Sequence, residues 1–152
     1  MSVVIVVPIV TVPGLNAREN RFVRAKRVAA ERTATATALA TSLDAGAVVG
    51  SAQCILLTRH AKKCDDDNLQ GALKGVRDEV ARWLGIDDGD ARVQYCYAQQ
   101  TCKRGEEHVS ITFGHVTDLM MARALLLRWH GQVDASSAVW RDTHTFLAWG
   151  ST

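Results

Sequence analysis

The feature that most constrains the fold is an apolar stripe in the middle of the chain, repeated at three- and four-residue steps. It consists of Leu69, Leu73, Val76, Val80 and either Trp83 or Leu84. This spacing places the five side chains on one side of an α-helix and predicts that this side is buried. An aspartate before the first turn suits the helix N-cap, and Gly85 suits the position just beyond the C-terminal end.

Strand-like segments lie on both sides of this helix. Runs rich in Val, Ile, Leu and aromatic residues predict strands at 3–12, 47–58, 93–98 and 108–113, with a further strand in the last stretch. Helical segments are predicted at 17–43 and 117–130. A chain of 152 residues is large enough for one core. We therefore expect a single compact α/β domain over residues 1–152, with a mixed β-sheet packed by helices.

Basic residues are concentrated although the chain as a whole carries a formal charge of only +2. The first half of the 17–43 helix contains Arg18, Arg21, Arg24, Lys26, Arg27 and Arg32. Such a patch suits the phosphates of DNA, and the alternative is a solvated helix face. Lys62 and Lys63 extend the basic surface. The apolar N-terminus is too short to cross a bilayer and has no basic flank, so we expect a buried strand and a cytoplasmic protein without membrane association.

An acidic cluster precedes the central helix. Asp65, Asp66 and Asp67 repel one another, and a hard divalent cation such as magnesium compensates for this repulsion. In an extended segment Asp65 and Asp67 point to one face. The turn after the helix carries Asp87 and Asp88, which we expect to approach the same place. Together these carboxylates predict a site for metal-assisted phosphodiester hydrolysis.

Lys74 lies two helical turns after Asp67, and helical side chains lean toward the N-terminus. Its ammonium is therefore expected to point at the acidic cluster and to contact the scissile phosphate. The structural alternative for the acidic run is a solvated turn with a helix cap. A zinc site is a weaker alternative because its candidate ligands match no common zinc spacing; they are His60, Cys64, Cys96 and Cys102.

Two runs of the sequence resemble the RusA-type Holliday junction resolvases. The first begins at Cys64 and reads Cys-Asp-Asp-Asp-Asn-Leu-Gln-Gly-Ala-Leu-Lys, and the second is Leu84-Gly-Ile-Asp-Asp-Gly-Asp. The form is similar to the phage and prophage branch. Upstream, Pro13-Gly-Leu-Asn-Ala-Arg resembles the family's Pro-x-x-Asn-x-Arg entry motif. The two ordered motifs cover roughly residues 3–113. Residues 115–152 form an extension beyond the match.

The resemblance implies a RusA-like fold, a homodimer, and magnesium-dependent nicking of four-way junctions and other branched DNA. Manganese is a substitute metal. By resemblance, Asp65, Asp67 and Asp88 bind the metal, with Asp87 as the other member of its pair. Lys74 resembles the catalytic lysine, although its alignment needs a short insertion after Leu69.

Asn16 and Arg18 fall on the entry motif and are expected to contact DNA. Two alternatives stay open at this point. One is a branched-DNA-binding protein of the same fold that does not cut. The other is a nuclease acting on flaps or forks.

Overall fold

The structure, a computed structural model, describes residues 3–12, 18–42, 54–87, 89–90 and 93–114, and the backbone of 139–141 and 146–147. In chain order the elements are β1 (Val3–Val7), α1 (Arg21–Ser42), β2 (Cys54–His60), α2 (Asp66–Leu84), β3 (Gln94–Gln100), β4 (His108–Gly114), β5 (Val139–Arg141) and β6 (Phe146–Leu147). These elements make one small α/β domain with a mixed sheet, as the sequence predicts.

The sheet has the strand order β1-β4-β2-β3-β5-β6. β4 is antiparallel to both β1 and β2, with His60 opposite His108. β2 and β3 are parallel, and β5 and β6 add two antiparallel strands at the far side. A parallel pair needs a crossover connection, which α2 supplies. α2 therefore begins near the end of the sheet where β2 finishes, and it ends near the edge where β3 starts.

The predicted apolar stripe of α2 is buried. Leu69, Leu73, Val76 and Val80 are fully buried and pack in one core cluster with residues of β1, β2, β3 and β4. Gly85 follows the helix with φ of +68°, a left-handed conformation that glycine adopts without steric cost, and its N–H donates to the carbonyl of Arg82. The central prediction of the sequence is confirmed here.

α1 packs against α2 and buries Glu31, Thr35 and Leu39. It starts at Arg21 rather than at residue 17, because the side-chain oxygen of Asn20 accepts the backbone N–H of Phe22 at 2.9 Å and caps the helix there. Neither of the two described helices has an apolar run long enough to cross a bilayer.

Strand boundaries differ from the predicted ones in β1, β2 and β3, and β3 runs over Gln94–Gln100 instead of 93–98. β1 ends at Val7 because Pro8 has no N–H to donate to a sheet. β2 extends through Arg59 and His60, two polar residues that the sequence placed in a loop. The first part of the predicted strand at 47–58 and the predicted helix at 117–130 lie outside the described residues.

Candidate functional site

Three aspartates form the beginning of α2. Asp65 occupies the N-cap position with extended backbone angles, φ −66° and ψ 157°, but its side chain makes no capping hydrogen bond. Asp66 and Asp67 are the first two helical residues. The positive end of the helix dipole stabilises carboxylates in this turn. The position is that of a helix cap, yet the Asp65 carboxylate is not used as one.

Asp65 and Asp67 are both exposed, whereas Asp66 is half-buried. The one side-chain contact of the cluster is a long one, from the Asn68 amide nitrogen to an Asp65 carboxylate oxygen at 3.5 Å. Within the described residues none of the three carboxylates forms an ion pair with a cation. The predicted alternation along an extended segment does not apply, because the helix begins at Asp66.

A buried arginine fixes the loop that leads into the aspartates. Arg59 is 4% exposed at the end of β2. Its guanidinium donates to the Thr11 hydroxyl at 2.8 Å, to the Thr11 carbonyl at 3.1 Å and to the Lys62 carbonyl at 2.6 Å. Thus Arg59 ties the segment after β1 to the loop before Asp65. Sequence analysis missed this residue.

Gln99 holds the same loop from β3. Its side-chain oxygen accepts the backbone N–H of Cys64 at 3.0 Å, and its side-chain nitrogen donates to the Cys64 carbonyl at 2.7 Å. The residue before Asp65 is therefore anchored in both directions. Burial raises the pKa of the Cys64 thiol, so the thiol stays protonated at neutral pH.

The other thiols do not join Cys64. Cys54 and Cys96 are fully buried, with their sulfur atoms 3.1 Å apart, in a small cluster with Leu56 and Ala98. Among the described residues, no group of three His, Cys, Asp or Glu side chains is placed to hold a metal ion. The described part of the chain therefore does not bring the predicted zinc ligands together.

The second acidic group lies at the other end of α2. Asp87 comes after Gly85, and its side chain accepts the backbone N–H of Gly89 within the following turn at 3.3 Å. A helix of 19 residues spans about 28 Å. Within one chain the structure thus separates Asp87 from Asp65 and Asp67 by the length of the helix. Asp88, the chain neighbour of Asp87, lies outside the described residues.

Lys74 points away from the aspartates at the start of the helix. Its ammonium lies 3.0 Å from each carboxylate oxygen of Asp78, one turn toward the C-terminus, and Arg32 of α1 contacts the same carboxylate at 3.2 Å. This is the reverse of the predicted orientation, because the ion pair on the helix surface outweighs the general lean of side chains toward the N-terminus. Lys74 is exposed, with 67% of its side chain accessible.

A cleft runs along this side of α2 toward Asp87. Its volume is about 430 Å³, and its walls include Lys74, Asp78, Arg82 and Asp87. Lys74 therefore shares a surface with the second acidic group rather than with the first.

Most of the predicted DNA-binding residues in the described part of the chain are exposed. These are Arg18, Arg21, Arg24, Lys26, Lys62 and Lys63. Lys62 and Lys63 stand in the loop between β2 and α2, immediately before the acidic cluster. Asn16 lies outside the described residues.

Arg27 has a different setting from its neighbours in the basic patch. It is bonded to Glu19 at 2.9 Å and to the buried Glu31 at 2.6 Å, and only 18% of its side chain is accessible. The hydrogen bonds between Arg27 and Glu19 raise the pKa of Arg27 and lower the pKa of Glu19. Arg27 thus joins the start of α1 to its interior, and the structure does not present it for contact with a ligand.

A larger groove of about 940 Å³ lies between α1 and α2. Four arginines line it, namely Arg21, Arg24, Arg32 and Arg82, and its floor includes small residues such as Ala25 and Ala29. Arg82 is partly neutralised by the buried Glu79, and its hydrogen bonds with Glu79 raise the pKa of Arg82. The groove continues the basic surface of α1 across to α2.

Two histidines stack where β2 and β4 meet the acidic loop. The rings of His60 and His108 lie 4.0 Å apart and nearly parallel. His108 donates from Nδ1 to the Glu106 carbonyl at 2.8 Å, and the Ser110 hydroxyl hydrogen-bonds His60 Nε2 at 2.9 Å. Burial, with a smaller effect of His108, lowers the pKa of His60 to about 4. His60 is therefore neutral at neutral pH.

Comparison of the chain with protein-family models, with curated proteins and with solved structures found no match.

Proposed function

We propose that the protein is a magnesium-dependent, structure-specific endodeoxyribonuclease of the RusA type that cuts four-way junctions and related branched DNA. The observation that carries the proposal is the acidic start of α2. Asp65 and Asp67 are exposed, the Asp65 carboxylate has only the long contact with Asn68 among the described residues, and Asp65 holds the cap position without capping the helix. Their place in the first turn favours the helix dipole, and the same exposed oxygens are open to a cation.

The donors at this place suit magnesium. Asp65 and Asp67 offer hard oxygen ligands, and magnesium in phosphate-processing sites is commonly held by one or two carboxylates while retaining several waters. Manganese, which prefers the same ligands, would substitute. When bound, the ion supplies Lewis-acid stabilisation of the negative charge that builds on a phosphodiester during hydrolysis.

Residues of the chain prepare this place for a DNA backbone. Arg59 and Gln99 fix the loop, so that the carboxylates are held in position before any ligand arrives. Lys62 and Lys63 bring positive charge beside them, which offsets the repulsion between aspartates and phosphates. In this proposal Lys74 leaves Asp78 before it contacts a phosphate. The cost is small, because an exposed ion pair of this kind contributes only about 0.5 kcal/mol to stability.

The positions of the two acidic groups favour a homodimer. Within one chain the second acidic group, represented by the described Asp87, follows the far end of α2, about 28 Å from its start. In a two-fold symmetric dimer whose two α2 helices lie antiparallel across the axis, the start of α2 in each copy faces the end of α2 in the other. We therefore propose that Asp88 of a second copy completes the site, which also gives two cutting centres for the two strands of a junction.

Cleavage of a synthetic four-way junction tests the proposal. With magnesium we expect paired nicks from the wild type, and a loss of about a hundredfold or more in Asp65→Asn and Asp67→Asn with binding retained. Asp66→Asn, which changes the half-buried neighbour, is the matched control and keeps most of the activity.

A wild-type protein that binds the junction and cuts nothing with magnesium or manganese contradicts the nuclease proposal. That outcome selects the branched-DNA-binding alternative. Flap and fork substrates in the same assay test the other alternative, a nuclease that acts on flaps or forks instead of four-way junctions.

A further inference from the structure

Phe22 is exposed in a way that its chemistry does not explain. Its relative exposure is 68%, and it is the one aromatic residue among the strongly exposed apolar residues of the described chain. It lies in the first turn of α1, nine residues before the buried Glu31, which at 100° per residue places it on the opposite side of the helix. An exposed aromatic ring offers a flat apolar face on which a ligand can stack.

Cations surround this ring. The guanidinium carbon of Arg21 lies 4.8 Å from the centroid of the Phe22 ring. Lys26 is one turn further along and on the same face, while Arg18 and Arg24 are exposed nearby. The nearest carboxylate in sequence, Glu19, is already bonded to Arg27. The ring therefore sits in a field of positive charge.

This charge decides what covers the ring. A second copy docked here would bring two sets of arginines and lysines together, which like-charge repulsion opposes. A nucleic acid fits both properties, because a base stacks on an aromatic ring while its phosphates meet the cations. At a branch point some bases lose their stacking partner, so a ring of this kind can replace it.

We propose that Phe22 stacks on an unpaired base at the branch point of the DNA, with Arg21 and Lys26 contacting the adjoining phosphates. The proposal deepens the proposed function and rests on it, since it assigns the residue that recognises the branch rather than the duplex arms. Stacking on an aromatic ring tolerates any base, so Phe22 would confer preference for structure without preference for sequence.

The test uses four-way junctions that carry the fluorescent adenine analogue aminopurine either at the branch point or within one arm. Binding is measured without divalent cations, so that nothing is cut. Wild type is expected to change the fluorescence of the branch-point analogue and to leave that of the arm analogue unchanged. Phe22→Ala is expected to abolish the change and to bind junctions about tenfold more weakly, with duplex binding unaltered.

Two further variants control for folding and surface loss. Phe22→Trp keeps an aromatic ring and is expected to retain the signal. Val23→Ala removes the adjacent exposed apolar side chain, 57% accessible, and is expected to behave as wild type.

A Phe22→Ala protein that gives the wild-type fluorescence change overturns this inference and leaves the nuclease proposal standing. The same holds if Phe22→Ala instead shifts the sedimentation mass, because Phe22 would then belong to a protein interface. If the wild type binds no junction, the proposed function fails, and this inference fails with it.

Discussion

At the scale of single residues, the site depends on polar side chains that are buried rather than displayed. Arg59 and Gln99 hold the acidic loop, and His60 packs against His108 at the end of the same strands. A buried polar group contributes only while its hydrogen bonds are intact and its protonation state is maintained. The acidic loop should therefore be sensitive to pH through groups that are not themselves carboxylates.

His60 gives a direct prediction of that sensitivity. Its pKa is about 4 in the folded protein against 6.5 for a free histidine, so the unfolded chain takes up the proton first. The free energy of unfolding should therefore fall as the pH is lowered from 6.5 toward 4. Since the His60 ring is only partly buried, we expect the free energy of unfolding to fall by about 1 to 2 kcal/mol on this account, after solvent screening.

Urea unfolding at several pH values in this window measures the effect. His60→Gln has no titrating ring at this position, so its free energy of unfolding should decline less steeply than that of the wild type. The difference between the two proteins should grow as the pH falls. Parallel curves for the two proteins would show that His60 is not the group responsible.

The exposed part of the candidate site was the part that the sequence could predict. A run of three aspartates before a helix is visible in the chain because its charges are adjacent. Arg59 and Gln99 were missed because polar residues at the end of an apolar strand suggest solvent, and only the packing of Thr11 and Cys64 around them shows that they are buried. The direction of the Lys74 side chain was predicted wrongly because Asp78, one turn further along the helix, binds its ammonium in place of the aspartates at the start of the helix.

At the scale of elements, the contact between α1 and α2 is made close by a glycine. A Cβ atom added at Gly75 would lie 3.0 Å from a carboxylate oxygen of Glu31. Glu31 is buried and its other oxygen is held by Arg27 at 2.6 Å, so the carboxylate has little freedom to move aside. The absence of a side chain at residue 75 therefore lets a buried ion pair fit between the two helices.

Gly75→Ala should lower the free energy of unfolding by about 1 kcal/mol, because crowding exceeds the gain in helix propensity. Gly71→Ala is the matched control in the same helix. Gly71 is exposed, so alanine there should raise stability by about 0.5 to 1 kcal/mol. Denaturant titration of the two variants should give changes of opposite sign, and equal stabilisation by both would refute the close-contact argument.

The elements themselves were predicted unequally well. α2 was predicted closely because its stripe, its first turn and its terminal glycine all indicate the same helix. The start of α1 was placed four residues too early, because the basic residues Arg18 and Arg21 lie on both sides of the Asn20 cap and together suggest one helical patch. The position of β4 between β1 and β2 could not be read from the chain, because strand order is set by long-range pairing.

At the scale of the whole molecule, the path of α2 decides how a metal site could be assembled. The parallel pairing of β2 and β3 makes the chain cross the length of the sheet between its two acidic groups. Asp67 and the turn containing Asp87 consequently mark opposite ends of one domain. If both groups serve one centre, symmetry requires that each centre take one group from each of two copies.

Mixing two inactive variants distinguishes this arrangement from a site within one chain. Asp67→Asn and Asp88→Asn should each be inactive alone, because every centre in either homodimer lacks a ligand. In a mixed dimer both changes fall in one centre and the other is intact, so an equimolar mixture should recover about a quarter of the wild-type nicking rate. The recovered activity should consist of single nicks, since one centre per dimer works.

The double variant Asp67→Asn with Asp88→Asn, mixed with wild type, is the converse test of the shared site. Each mixed dimer then has one defect in each centre and should be inactive, so nicking should fall below the level that the wild-type share alone would give. Failure of the two single variants to complement, when co-purification of two differently tagged copies shows that subunits have exchanged, would mean that the two acidic groups do not meet across a dimer. Asp88 would then not be a ligand of the proposed metal site.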